Sequence, residues 1–105
     1  MRIKEERINI KKDLMKKQGC CCYKCGINLI SLPQGMAHFH HIDSNNKVAN
    51  IADMIIKDKM YSIEDITKEN EKTILLCAGC HMALHKIYGK QITEDDTVSF
   101  LFDFL

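Results

Sequence analysis

The chain has 105 residues, of which 46% are hydrophobic and 28% charged, and its formal net charge is +1. That size and balance predict one ordinary globular domain, and they exclude a globally basic nucleic-acid coat. No apolar run approaches the roughly 20 residues that cross a bilayer, and the opening Met-Arg-Ile-Lys-Glu-Glu-Arg lacks a signal-peptide core. The expectation is a cytoplasmic protein with no membrane association, whose cysteines stay reduced and read as metal ligands.

Residues 3–18 predict a helix with Ile3, Arg7, Ile10 and Leu14 on one stripe, Met15 beside it and Gly19 as its stop. Residues 1–17 hold seven basic side chains against Glu5, Glu6 and Asp13, a local net of +4. Such a segment suits a solvated helix face, or contact with phosphates. Residues 20–26 predict a metal knuckle in which the glycine after Cys25 suits the tight turn. Pro33 and Gly35 mark a turn, so Ile27–Leu32 and Met36–Ile42 predict a hairpin.

After a polar loop from Asp43 to Lys47, the stripe Val48, Ile51, Ile55 predicts a helix over 47–60. Ser62 followed by Glu64 and Asp65 reads as a cap with an acidic first turn, opening a helix through Asn70. Thr73-Ile74-Leu75-Leu76 is a short apolar run delivering Cys77, and the helix after it should end at Gly89. Thr93 then caps a last amphipathic helix carrying Val98, Leu101, Phe102 and Leu105, beside the acidic Glu94, Asp95, Asp96 and Asp103. Phe100, Leu101, Phe102, Phe104 and Leu105 crowd the end, a candidate homodimer contact.

The chemistry concentrates in three blocks. Cys22-x-x-Cys25 and Cys77-x-x-Cys80 stand 52 residues apart, from Cys25 to Cys77. Two such pairs offer four soft ligands for one tetrahedral Zn2+. Cys20 and Cys21 have the wrong spacing and read as ordinary thiols. His81 and His85 follow at i and i+4, on one helix face, a spacing that suits two ligands of one divalent ion. His40 and His41 are neighbours in a predicted strand and point to opposite faces. One can ligate while the other stays free to take a proton, with a pKa suited to a general base. His38 shares the face of His40 and is a candidate supporting residue.

Taken together, Cys22-x-x-Cys25-Gly26, His40-His41-Ile42 and Leu76-Cys77-x-x-Cys80-His81-x-x-x-His85 resemble the HNH endonuclease family, over roughly residues 12–88. The resemblance implies a small α+β, treble-clef-like His-Me finger domain: a ββα-metal unit stabilised by zinc, with flanking helices at 1–19 and 89–105. It implies Cys22, Cys25, Cys77 and Cys80 as the structural zinc site. By the same resemblance His40, His81 and His85 hold a catalytic divalent cation (Mg2+, Mn2+, Ni2+ or Zn2+), and His41 is the general base. The segments between the hairpin and the metal-bearing helix would be an insertion. The family's middle asparagine falls at Lys72 here, as it does in similar phage-type and prophage-type members. Lys72 would then position the base or bind phosphate, unless Asn70 moves in. DNA is the implied substrate, and phage packaging or restriction-type proteins are the implied partners. Two other readings are a non-catalytic zinc module that binds nucleic acid or protein, and a metal-storage or redox protein drawing on Cys20 and Cys21. Neither accounts for the ordered histidines.

Overall fold

A computed structural model describes residues 1–102. Its elements in chain order are α1 (Lys4–Lys17), β1 (Ala37–His41), α2 (Ile51–Ile56), α3 (Ile63–Asn70), β2 (Thr73–Cys77), α4 (Ala78–Tyr88) and α5 (Glu94–Phe102), with short 3₁₀ turns at Gln34–Met36 and Ser44–Asn46. This is a small mixed α+β domain built on one two-stranded antiparallel sheet among the described residues. No helix is long and apolar enough to cross a membrane.

The strands pair from Ala37↔Cys77 to His41↔Thr73. The partner of β1 is therefore β2, and the predicted hairpin with 27–32 does not form. Residues 27–32 instead make a single bridge, Cys21↔Asn28, because the Asn28 side chain takes the amide of Ile30 and curls the chain. Helices α2 and α3 lie between the two strands in sequence, so the insertion sits within the strand pair rather than after it.

Helix α1 departs from its predicted stripe only at its start: Ile3 is 61% exposed, whereas Leu14 and Met15 are buried as expected. Arg2 is buried instead, its guanidinium donating to the carbonyls of Met54, Ile55 and Tyr61. That contact caps the end of α2, where a cation is favoured by the helix dipole. It also helps explain why α2 covers only 51–56 of the predicted 47–60. At the other end, the Glu69 carboxylate takes the amide of Val48 at 2.8 Å, and the backbone is still extended at Asn50, just before α2 begins. Ser62 and Asp65 close a reciprocal capping box on α3, as their spacing predicts.

Two apolar clusters share the work. One packs Leu14, Ile51, Met54, Ile55 and Ile66 between α1, α2 and α3. The other wraps the sheet, with Met15, Leu29, Leu75, Leu76, Leu84, Ile92 and Phe100. Phe39 touches both, so β1 is clamped between them. Helix α5 buries Thr97 and Phe100, while the predicted Val98 and Phe102 are exposed, Phe102 by 69%. A turn of helix places residues 97 and 100 on one side, and Lys24 fixes that side by donating to the Phe100 carbonyl and lying 5.0 Å above its ring. Asp103, Phe104 and Leu105, part of the acidic end and the proposed dimer contact, lie outside the described residues.

Candidate metal centres

Cys22, Cys25, Cys77 and Cys80 converge, with their sulfur atoms within 4.8 Å of one another. Cys25 Sγ and Cys77 Sγ stand 3.8 Å apart. A regular tetrahedron with Zn–S bonds of about 2.3 Å has edges of about 3.8 Å, so the four sulfurs fit a structural metal such as zinc. Each pair is built the same way. Cys22 Sγ accepts from the Cys25 amide at 3.5 Å and Cys77 Sγ from the Cys80 amide at 3.4 Å. Cys77 thereby serves as the N-cap of α4, sulfur standing where a serine oxygen usually does. Gly26 has φ +80°, which lets its amide return to the Cys22 carbonyl at 2.9 Å and close the first turn. The Tyr23 amide bonds the Leu75 carbonyl, stitching this knuckle to β2. Cys20 and Cys21 are not part of the cluster.

The thiols titrate as a group. Burial works to raise the Cys22 pKa, but the backbone amides of Cys25, Cys77 and Lys24 outweigh it and bring the value down to about 7. Cys80 is pushed well up, first by burial and then by the neighbouring sulfurs. Cys25, despite the lowering effect of the Ile27 amide, is raised by burial and by Cys22 and Cys77. Four sulfurs this close cannot all ionise alone, and a divalent cation removes that repulsion.

A second cluster lies along α4. His40, His81 and His85 each offer a ring nitrogen, all within 4.8 Å of one another. Their hydrogen bonds determine which nitrogen is free, because a carbonyl oxygen only accepts. His85 Nδ1 lies 2.9 Å from the Gly89 carbonyl and must donate, which leaves Nε2 with its lone pair. His38 Nε2 likewise donates to the Gly35 carbonyl, leaving His38 Nδ1 to accept from His81 Nδ1 at 2.9 Å. His81 Nε2 is then a lone pair as well, and it faces His85 Nε2 at 3.1 Å. Two lone pairs at that separation repel unless a cation lies between them. On β1, His40 Nε2 meets Thr97 Oγ1 at 3.1 Å. The Thr97 hydroxyl hydrogen is committed to the carbonyl of Ile42 or Thr93, so His40 donates and keeps Nδ1 free. Burial, followed by the other histidines, holds the pKa of both His40 and His81 down to about 4. Those two rings are neutral near pH 7, the state a metal requires. Three imidazoles leave further coordination positions open, unlike the four cysteines.

His41 points the other way, as strand parity predicts. Its Nε2 lies 2.8 Å from Glu69 Oε2, and both side chains are buried. Burial, partly opposed by Glu69, lowers the His41 pKa. The contact is therefore a hydrogen bond from a neutral ring rather than an ion pair, and Nδ1 remains the free nitrogen. Burial would raise Glu69, but the Val48 amide, Lys72 and His41 more than offset it, and the carboxylate stays ionised. Lys72 Nζ contacts Glu69 Oε1 at 3.0 Å and the Asn46 carbonyl at 3.1 Å. Asn70 turns away from the histidines. Its side chain accepts from Gln18 and Thr73 and donates to the Leu14 carbonyl, tying the end of α1 to β2. His40, His41, His81 and His85 all line one cleft of about 260 Å³, with Lys47 and Lys90 at its edge.

Sequence reasoning missed Glu69 and Thr97. Neither belongs to a motif, and Glu69 resembles any acid near a helix end. The signal for Thr97 was its place one turn after the capping Thr93. No known family profile, no curated protein and no solved structure matches the chain.

Proposed function

We propose that this protein is a metal-dependent DNA endonuclease of the HNH type, in which β1, β2 and α4 make a ββα-metal unit on a treble-clef-like zinc knuckle. The observation that carries the reading is the shared cleft: three imidazoles bring ring nitrogens within 4.8 Å of one another, and a fourth, His41, is held beside them by a buried carboxylate. His40, His81 and His85 would hold a divalent cation, which supplies positive charge at the scissile phosphate. His41 Nδ1 takes a proton from water as the water oxygen bonds phosphorus and the bond from phosphorus to the 3′-oxygen breaks, the departing 3′-oxygen taking its proton from solvent. The products are 5′-phosphate and 3′-hydroxyl ends. Glu69 steadies the ring and the positive charge it gains, much as the buried carboxylate of a catalytic triad does. Lys72 acts as a positioning residue through Glu69, and Asn70 has no part in the chemistry.

A non-catalytic zinc module would need only the cysteines, and it leaves the tautomer-fixed histidines without a purpose. Metal analysis separates the two, since the nuclease holds one zinc tightly and a second divalent ion weakly. The direct test is nicking of supercoiled plasmid with magnesium, manganese, nickel or zinc. Cleavage that needs added cation and disappears in His41→Ala supports the proposal. A protein that binds a second ion and cuts with none of the four overturns it.

A further inference from the structure

Helix α1 carries a line of cations that the chemistry above does not use. Lys4, Arg7 and Lys11 recur at i, i+3 and i+7, on one helix face, and span about 10 Å at 1.5 Å per residue. All three line a cleft of about 330 Å³ between α1 and α2. Lys11 also lines the next cleft, of about 360 Å³, which reaches His38 and His81. His81 and Asn50 in turn line the histidine cleft, where Lys47 and Lys90 stand. The three clefts are thus neighbours in a row, each sharing lining residues with the next. Across them five cationic side chains meet one acid, Asp53.

Arg7 gives this path a purpose. Its guanidinium makes no hydrogen bond or ion pair among the described residues, and its Nε is buried without a partner. The side chain as a whole is only half-buried, so the outer nitrogens of its head, a planar fork of donors that matches a phosphate, face the cleft that Arg7 lines. Successive phosphates on one strand advance by about 3.4 Å along a duplex, so three such steps cover about the length of the Lys4–Lys11 stripe.

We propose that α1 is a phosphate-backbone track for DNA: Lys4, Arg7 and Lys11 hold one strand and lead it past His38 into the histidine cleft. The inference rests on the nuclease reading for its choice of DNA, but not for its residues. The contacts are made to backbone phosphate, so they act without regard to sequence.

The test is the salt dependence of binding to a short DNA duplex by the zinc-loaded protein, without added divalent cation. The parent is compared with Lys4→Gln/Arg7→Gln/Lys11→Gln and with Lys16→Gln/Lys17→Gln/Lys68→Gln, an equal charge change on the α1–α3 side. Each lost phosphate contact lowers the slope of log affinity against log salt by about 0.9, so the track variant should lose about 2.7 and the control nothing. Affinity should fall equally for unrelated sequences. Should the triple variant fail to fold, Lys4→Gln at an exposed position should still lower the slope by about 0.9. Equal slopes for parent and track variants, or a preference of the track for RNA, overturn the proposal. A parent that nicks plasmid while its α1 variants bind unchanged loses the track and keeps the nuclease. Binding that depends on α1, with no cleavage under any cation, keeps the track and loses the nuclease.

Discussion

The two ligand clusters sit at the start of the same helix yet are built on different plans. The cysteine cluster gathers four ligands from two tight turns, and its remaining hydrogen bonds come from the backbone of those turns. Beyond them it takes only the Tyr23–Leu75 bond that stitches the first turn to β2, and a tetrahedral ion on four thiolates has no place left for a substrate. The histidine cluster has three ligands, and each is oriented by a residue outside the cluster: His40 by Thr97, His81 by His38, His85 by the Gly89 carbonyl. Its support comes from β1, α5 and the end of α4, and it opens onto a cleft. One site is a closed staple. The other depends on the finished fold and leaves room for chemistry.

The comparison breaks most visibly at the cysteines. Cys22→Ser or Cys80→Ser should release the zinc and unfold the domain. Structural zinc contributes on the order of 10 kcal/mol in small zinc domains, comparable to the whole stability of a chain this size. Thermal melting with metal analysis checks it. A variant that kept its transition and its zinc would end the structural assignment. Mild chelation gives the complementary result: the histidine-bound cation should leave first, with the fold intact.

The next effect in size belongs to His41. His41→Ala should slow cleavage by about 10²–10⁴-fold, the usual contribution of a positioned base, with both metals and DNA affinity kept. His40→Ala and His85→Ala should instead weaken the cation, so that added metal partly restores the rate. A metal titration of nicking rate for all three variants decides the roles. Rescue of His41→Ala but not of His40→Ala would reverse them, and three variants cutting like the parent would remove the active site. Glu69→Gln should follow His41→Ala at a smaller size, about 10–100-fold.

These differences also explain what could be read before folding. The cysteine pairs, the His81–His85 spacing and the Ser62 capping box are relations within a turn or two, set by local geometry, and the structure places each as expected. The assignment of His40 and His41 to opposite faces needed only the two-residue period of a strand. What failed was long-range. The partner of β1 is not the nearby 27–32 segment but Thr73–Cys77, reached after two helices. The partners of His41 and His40 lie 28 and 57 residues away in sequence. No periodicity announces such contacts. They exist because α3 packs on β2 and α5 on α4, which brings Glu69 to one face of β1 and Thr97 to the other.

The smallest effect tests that last point, at Thr97. It is almost wholly buried, and its hydroxyl joins α5 to the His40 ring and the Ile42 carbonyl. Thr97→Val keeps the shape and removes the hydroxyl. The part-buried Ile42 carbonyl loses a donor, and the buried His40 Nε2–H loses its acceptor, at a cost of about 1–3 kcal/mol. A loss of about 1 kcal/mol moves the melting temperature of a domain of this size by about 4–8 °C. With Nε2 unpartnered, His40 no longer has a reason to keep Nδ1 as its free nitrogen, and cation affinity should fall by about 10-fold. Thr97→Ser should restore the affinity, since it returns the hydroxyl. His38→Ala should weaken the cation similarly through His81, while leaving the cysteine-bound zinc untouched. If Thr97→Val lowered the melting temperature but left cation affinity at the parent value, α5 would be packing alone, and the histidine site would owe nothing to it.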